Sequence, residues 1–292
     1  MTVYRFVERE RARHHLVTLC RVLGVSPSGF RSWAAPHADA RARADAALLV
    51  RIAQIHRASR GTYGSPRVHA ELLDEGTRVG RKRVARLMRD AGLVGVHRRR
   101  RAAPRPRRAY RSATTAPDLV RRDFRAARAD RLWVADITEL PTDAGALYLA
   151  AIVDVWSRRV VGWSMADHLR TELVVAALDA ALDARRPGSG LVHHSDRGTQ
   201  YTSLAFGARL TEAGIAPSMG APGSAYDNAL AESFFASLET ELIDRSRWAT
   251  PEDARLAVFE WIEAFYNRAR RHSSLGYLSP IEFERRYPAP VT

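Results

Sequence analysis

The stretch LWVADITEL, residues 132–140, decides how the second half of this chain folds. Its apolar residues alternate with others at the two-residue period of a strand, and Pro141 is expected to end that strand. Two further β-rich runs follow, ALYLAAIVDV at 146–155 and RRVVGWSM at 158–165. Because only short turns separate the three runs, they predict an antiparallel meander.

Helices and short strands alternate after the meander. In chain order the patterns predict a helix at 171–184, a strand at 191–195, a helix at 203–214, a strand at 215–219, and helices at about 226–244 and 251–267. The resulting order, β-β-β-α-β-α-β-α, is that of the ribonuclease-H-like fold. We therefore expect an α/β core in which helices cover a mixed five-stranded sheet.

Three acidic residues stand where a soluble fold rarely places them. Asp136 lies inside the apolar first strand, and Asp196 follows the fourth strand in HHSDRGTQY. Glu232 lies on a helix in YDNALAESFF, with 35 residues between it and Asp196. A charge inside an apolar strand is costly unless it is paired or binds a metal. If the first and fourth strands are neighbours and the last helix crosses beside them, the three carboxylates converge.

Converging carboxylates repel one another, so they normally share cations. Their hard oxygen ligands suit Mg²⁺ or Mn²⁺. Two such ions could activate a water or hydroxyl and stabilise the leaving oxygen of a phosphodiester. The pattern therefore predicts a two-metal site at Asp136, Asp196 and Glu232.

Neighbouring polar side chains have alternative roles. Asn228 lies one helical turn before Glu232 and could orient that carboxylate, touch DNA or simply cap the helix. His193 and His194 could be metal ligands or a general base, but more simply they shape the strand, since no Cys or further His completes a zinc set.

Three other acids compete for a place in the metal site. They are Asp143, Asp154 and Asp227. Asp154 could instead pair with Arg158 or Arg159, and Asp227 suits a helix start, where the helix dipole favours an acid.

The front of the chain is strongly basic. The 292 residues have a net charge of +14, but residues 1–129 carry 30 basic and 10 acidic residues, a net charge of +20, and residues 130–292 have a net charge of −6. Such a charge indicates a polyanion partner, most often nucleic acid.

Helix-turn-helix patterns accompany this charge. Residues 5–34 predict two helices separated at Gly24, the second beginning at Ser26-Pro27. Residues 40–95 predict three more, and the last of these, at about 80–91, is basic, as expected of a recognition helix in a major groove. Its candidate DNA contacts are Arg81, Lys82, Arg83 and Arg86.

An arginine-rich stretch, HRRRRAAPRPRRAYR at 97–111, joins the two halves. It has no apolar periodicity and should contact the phosphate backbone through Arg98, Arg99, Arg100, Arg101, Arg105, Arg107 and Arg108. We therefore expect four segments. They are a helix-turn-helix at 1–38, a helix-turn-helix-like DNA-binding module at 39–95, an Arg/Pro-rich linker at 96–129, and a catalytic domain at 130–292 with a C-terminal helical tail.

Composition excludes several classes of protein. A single cysteine, Cys20, rules out an internal disulfide framework and a thiolate-rich zinc site. No apolar run is long enough to span a membrane, and the N-terminal residues lack the apolar region of a secretory signal. A cytoplasmic protein with no membrane partner is expected.

Four motifs, WVADIT, HHSDRGTQY, DNALAESFF and YNRARRHSSLGYLSP, resemble the catalytic (OrfB) subunit of bacterial transposases of the Insertion Sequence Three family. That family resembles retroviral integrases in its DD(35)E core. The likeness extends to TLCRVLGVSPSGFRSWA and to the basic helical module that follows it. It implies divalent metal at Asp136, Asp196 and Glu232, and DNA strand cleavage and transfer at element ends.

The resemblance also implies partners. They are double-stranded DNA (element terminal repeats and target), an upstream-frame partner protein or fusion, and further copies of the chain on DNA. Integrase relatives often carry a basic residue seven positions after the catalytic Glu, where this chain has Glu239. Two alternatives remain: a metal-dependent nuclease of the same fold that only hydrolyses, and a DNA-binding regulator with an inactive core.

Overall fold

The computed structural model describes residues 2–34, 37–97, 116–220 and 229–288. The chain separates into two compact units, residues 1–95 and residues 96–292. Several residues singled out above lie outside the described ranges, namely Asp227, Asn228 and the linker arginines Arg98, Arg99, Arg100, Arg101, Arg105, Arg107 and Arg108. No helix in the described ranges is both long and apolar enough to cross a membrane.

The described part of the first unit is helical. Its helices are α1 (Val3–Glu10), α2 (Leu16–Val22), α3 (Pro27–Ala34), α4 (His37–Ala58), α5 (Ser65–Asp74) and α6 (Arg81–Asp90). Val7, Cys20 and Phe30 form the small core of α1–α3. Gly24 ends α2 with a φ of +69°, a conformation that favours glycine. The helices predicted in this half are present, but the stretch before Gly24 contains two helices, α1 and α2, where one is predicted.

The second unit is built on a mixed five-stranded sheet. Its strands are β1 (Leu132–Thr142), β2 (Gly145–Asp154), β3 (Val160–Ala166), β4 (Val192–Ser195) and β5 (Ala216–Met219). Their order across the sheet is β3-β2-β1-β4-β5. β1, β2 and β3 form the predicted antiparallel meander, while β4 is parallel to both β1 and β5. The prediction that the first and fourth strands are neighbours in the sheet is confirmed.

The expected end of β1 at Pro141 is wrong. The strand continues to Thr142, and Pro141 pairs with Ala146 of β2. Beside β1, β4 is paired only with Leu132–Val134, so at Pro141 one side of β1 has no partner strand among the described residues. A proline is tolerated on such an edge because its nitrogen need not donate to a neighbour.

Helices α7 (Thr171–Arg185) and α8 (Leu204–Glu212) cover one face of the sheet. Trp133, Ala135 and Ile152 pack there against apolar side chains of these helices. Gly162 of β3 allows the close approach of α7, since a Cβ at this position would collide with the carbonyl oxygen of Ala177. The core of the second unit thus lies between the sheet and α7 and α8.

Three further helices complete this unit: α9 (Ala229–Glu241), α10 (Pro251–Phe259) and α11 (Pro280–Arg286). α9 packs against β1 and β2, and α10 runs into a π-helical segment, Glu260–Tyr266. After it, Asn267 Oδ1 accepts a hydrogen bond from the Val160 amide (2.9 Å), and Asn267 Nδ2 donates to the Val160 carbonyl (3.0 Å). The Asn267 side chain therefore binds the backbone at the start of β3 and ties the segment after α10 to the sheet.

Candidate active site

Asp136 and Asp196 occupy matching positions on neighbouring parallel strands. β1 and β4 pair in the register Leu132–Val192, Trp133–His193 and Val134–His194. Two residues beyond the last of these pairs stand Asp136, within β1, and Asp196, directly after the end of β4. Adjacent strands lie about 4.8 Å apart, so this register predicts that the two acidic residues lie side by side.

The two carboxylates differ in their surroundings. Asp136 is half-buried, and its Oδ1 accepts a hydrogen bond from the Ile137 amide (2.8 Å). Asp196 is exposed, and its Oδ1 accepts from the Gly198 amide (2.9 Å). The backbone thus orients each carboxylate through one hydrogen bond from a nearby amide.

The loop after β4 contributes two residues that the sequence did not single out. A Cβ on Gly198 would stand 3.0 Å from Asp196 Oδ1 and 3.6 Å from Cδ2 of Tyr201. Burial raises the pKa of Tyr201 well above its usual range, and the negative charges of Asp136 and Asp196 raise it further. The Tyr201 ring therefore lies close to the Asp196 carboxylate, with Gly198 between them. The signal in the sequence was a large aromatic residue in the otherwise polar motif HHSDRGTQY.

Glu232 lies in the first turn of α9, where the helix dipole favours an acid, and its side chain is exposed. α9 packs against β1, as the predicted crossing of this helix requires. Within the described ranges, however, no group of three or more His, Cys, Asp or Glu side chains is close enough to hold a metal ion. Asp136 and Asp196 stand at matching positions of the β1–β4 register, and the convergence of all three carboxylates stays a prediction.

The two histidines before Asp196 have structural surroundings. His193 is buried against the rings of Tyr201 and Phe206, and burial, together with His194, lowers its pKa to about 3. His194 Nδ1 lies 2.9 Å from Ser218 Oγ on β5. A ring with so low a pKa is a poor general base at neutral pH. These contacts favour the interpretation that the histidines shape the strand.

Two of the competing acids have partners of their own. Asp154 is fully buried and accepts hydrogen bonds from the amides of Asp130 and Ser157, each 2.8 Å, and from the Ser157 hydroxyl (2.9 Å). Burial nevertheless raises its pKa. Asp143 lies in an exposed ion pair with Arg247 (3.2 Å). Asp154 therefore fixes the turn after β2, and Asp143 is a surface residue of the β1–β2 hairpin.

The basic helix α6 presents two kinds of charge. Arg83 and Arg86 both bind Asp45 of α4 at 2.6 Å, and these hydrogen bonds lower the pKa of Asp45. Arg81 and Lys82 are exposed, and no ion pair is found for them within the described ranges. Arg83 and Arg86 therefore hold α6 to α4, whereas Arg81 and Lys82 face solvent.

Known protein families match both units. A model of the integrase core domain matches residues 126–225, and a second integrase core model matches residues 213–280. An HTH-like domain model matches residues 42–101. Asp136 and Asp196 fall in the first match, Glu232 in the second, and α6 in the third.

Two bacterial relatives match nearly the whole chain. The transposase for insertion sequence element IS629 of Shigella sonnei is 39% identical over 290 residues, covering 98% of this chain and 96% of its own length. Transposase InsF for insertion sequence IS3A of Escherichia coli (strain K12) is 37% identical over 289 residues, covering 97% and 98%. The chain belongs to this family of insertion-sequence transposases. Its integrase core makes the transposase a DDE enzyme of the polynucleotidyl transferase type.

Among solved structures, the HTLV-2 integrase catalytic core domain in complex with magnesium aligns with 55% of the transposase and 99% of its own chain. The sequence identity is 18% and the TM-score 0.40. Because this similarity is low, the assignment rests on the bacterial relatives and the family models.

Proposed function

We propose that the transposase holds two Mg²⁺ or Mn²⁺ ions with Asp136, Asp196 and Glu232 and uses them to cleave and join DNA at the ends of its insertion sequence. The observation that carries this proposal is the β1–β4 register, in which Asp136 and Asp196 each stand two residues beyond the last pair. Two carboxylates that lie close together repel each other unless a cation lies between them.

The donor set of this site fits a hard divalent ion. Carboxylate oxygens are the ligands that Mg²⁺ prefers, and the nearby hydroxyl of Tyr201 is buried without a hydrogen-bond partner among the described residues. When bound, such ions supply Lewis acidity to a phosphodiester. Asp136 and Asp196 hold them at the sheet, and Glu232 is the proposed further ligand from α9.

No side chain needs to act as a nucleophile in this scheme. Water attacks the phosphodiester at the element end, and the freed 3′-hydroxyl then attacks a phosphodiester of the target DNA. The P–O bond that forms in each step replaces one that breaks, so neither an oxidant nor a reductant is required. The role of the protein is to orient both DNA strands at the carboxylates.

The proposal includes the partners of the reaction. The first unit would hold double-stranded DNA through the exposed side of α6. The linker arginines, which lie outside the described ranges, would add contacts to the phosphate backbone. Several copies of the chain would assemble on the two element ends in the bacterial cytoplasm, joined by an upstream-frame partner protein or fused to it.

The test uses the full chain, Mg²⁺ and labelled duplexes that carry the terminal repeats of its element. Wild type should give both cleaved and joined strands, whereas Asp136→Asn, Asp196→Asn and Glu232→Gln should each abolish both products and still bind the duplex. Removing one ligand should be nearly as damaging as removing all three, because the ligands act as a unit. Asp143→Asn, a change to an exposed acid outside the site, is the matched control.

Each alternative function has its own result in this assay. A variant that cleaves at nearly the wild-type rate removes its residue from the metal site. Cleaved strands without joined strands would favour a nuclease. Duplex binding without any product from wild type would favour a DNA-binding regulator.

A further inference from the structure

Tyr201 carries a buried hydroxyl without a hydrogen-bond partner within the described ranges. The residue is 3% exposed, and its ring packs against Phe206 and His193 with centroid distances of 5.4 and 6.2 Å. Buried hydroxyls in native proteins are nearly always hydrogen-bonded, because an unpaired one has lost its water without compensation. We therefore expect the Tyr201 hydroxyl to donate to an acceptor that forms when a ligand binds to the protein.

The surroundings of Tyr201 indicate where that acceptor lies. The Tyr201 amide donates to the carbonyl of Gly198 (3.1 Å), which closes a turn over the Asp196 carboxylate. A Cβ added to Gly198 would contact both that carboxylate and the tyrosine ring. The charges of Asp136 and Asp196 both act on the phenol. The Tyr201 ring therefore lies beside the turn that holds the Asp196 carboxylate, at the edge of the proposed metal site.

We infer that Tyr201 is a positioning residue whose hydroxyl donates a hydrogen bond to an oxygen of the ion-loaded Asp136–Asp196 site. The inference rests on the proposed function. Groups that donate hydrogen bonds to the ligands of a metal fix the orientation of those ligands. They typically contribute roughly 10–100-fold to metal affinity. Because Phe206 and His193 hold the ring, the hydroxyl is oriented before the ion arrives.

A purely structural role for Tyr201 makes the opposite prediction. If the ring alone matters, phenylalanine should serve equally well for metal binding. If the hydroxyl supports the fold, its removal should lower the melting temperature of the metal-free protein. If the inference is right, Tyr201→Phe removes an unpaired donor from the metal-free protein and leaves its melting temperature unchanged or higher.

The experiment measures Mn²⁺ affinity of the full chain by isothermal titration and by electron paramagnetic resonance, with thermal melting in metal-free buffer. Tyr201→Phe should weaken Mn²⁺ binding roughly 10–100-fold without a lower melting temperature. Strand cleavage by this variant should recover at high Mn²⁺. Tyr287→Phe, which removes a phenol hydroxyl from a half-exposed residue of the same unit, should leave both measurements unchanged.

Two failures are distinguishable in this design. Mn²⁺ affinity of Tyr201→Phe within twofold of wild type, or a lower melting temperature of the metal-free variant, would overturn the inference. Asp136→Asn and Asp196→Asn proteins that bind Mn²⁺ as tightly as wild type would instead overturn the proposed metal site.

Discussion

The arginines of the two units bind carboxylates at very different depths. On α6 of the first unit, the side chains of Arg83 and Arg86, which bind Asp45, are 38% and 43% exposed. In the second unit, those of Arg185 and Arg270 are 12% and 6% exposed. An exposed guanidinium can exchange its carboxylate for a phosphate at little desolvation cost, whereas a buried one belongs to the fold. The comparison teaches that burial, rather than the number of charges, decides how much an ion pair contributes to the fold.

The arginines of the second unit join the C-terminal segment to the catalytic core. Arg270 binds both oxygens of Glu241 at 2.7 Å and donates to the Ser237 hydroxyl (3.1 Å), and both partners lie on α9. Arg185 and Arg159 bind Glu284 of α11 at 2.9 and 2.7 Å. The C-terminal segment that contains Arg270 therefore helps to hold α9, the helix that carries Glu232.

Breaking the buried pair should have the largest effect on stability. Arg270→Met leaves the Glu241 carboxylate buried without its countercharge and should destabilise the second unit by about 3–5 kcal/mol. Tryptophan fluorescence during denaturant unfolding measures this, because five of the six tryptophans, all except Trp33, lie in residues 96–292.

Two further variants sharpen this result. Arg270→Met combined with Glu241→Leu should recover most of the loss, since no buried charge then remains unpaired. Arg86→Met should change the stability of the first unit far less than Arg270→Met changes that of the second, as expected of an exposed ion pair. Equal losses in Arg270→Met and Arg86→Met would show that burial does not separate the two sets.

A smaller effect, confined to catalysis, is expected from Gly198→Ala. The new Cβ would stand 3.0 Å from Asp196 Oδ1 and 3.1 Å from Gln200 Oε1, so the carboxylate must move. Strand cleavage should fall roughly tenfold or more, while DNA binding stays at the wild-type level. Duplex cleavage and binding assays measure the two quantities.

Gly207→Ala is the matched control for that variant. Gly207 lies within α8, and a Cβ there meets nothing within 4 Å. This substitution should keep full activity and stabilise the helix by roughly 0.5–1 kcal/mol. A Gly198→Ala protein as active as Gly207→Ala would mean that the position of Asp196 tolerates displacement.

The exposed charges should control how DNA binding depends on salt. Arg81→Ala with Lys82→Ala should flatten the slope of log affinity against log salt by about 0.9 for each phosphate that the variant no longer neutralises. Asp45→Asn should steepen the slope, because it releases Arg83 and Arg86 from their shared carboxylate. Binding of a random duplex at several salt concentrations measures both changes. Unchanged slopes in both variants would move the DNA-binding surface away from α6.

The smallest expected effect is on acid stability. Burial raises the pKa of Glu284, but Arg185 and Arg159 outweigh burial, so the pKa lies below its usual value. A lowered folded-state pKa contributes stability that is present above the unfolded value of about 4.3 and is lost as the pH falls through the folded value. The stability advantage of wild type over Glu284→Gln should therefore shrink in acid. Melting temperatures at about pH 7 and between about pH 5 and pH 3 test this, and a constant difference would contradict it.

The sequence by itself determined the elements and the chemical groups of this protein. The two-residue alternation of LWVADITEL and the helical spacing of residues 171–184 depend on neighbours a few residues apart, so β1 and α7 could be located before any tertiary contact was known. The acidic residues of the candidate site stand out because a charge in an apolar strand needs a partner, and that requirement is also local.

Only the tertiary structure decided which of these groups meet. The β1–β4 register joins residues 60 positions apart and puts Asp136 and Asp196 at matching positions, and a slip of one residue would turn the side chains of a strand to the other face. The unpaired hydroxyl of Tyr201, the sharing of Asp45 by two arginines and the burial of Arg270 also arise between distant segments. Their positions result from the packing of the whole unit, which no local period encodes.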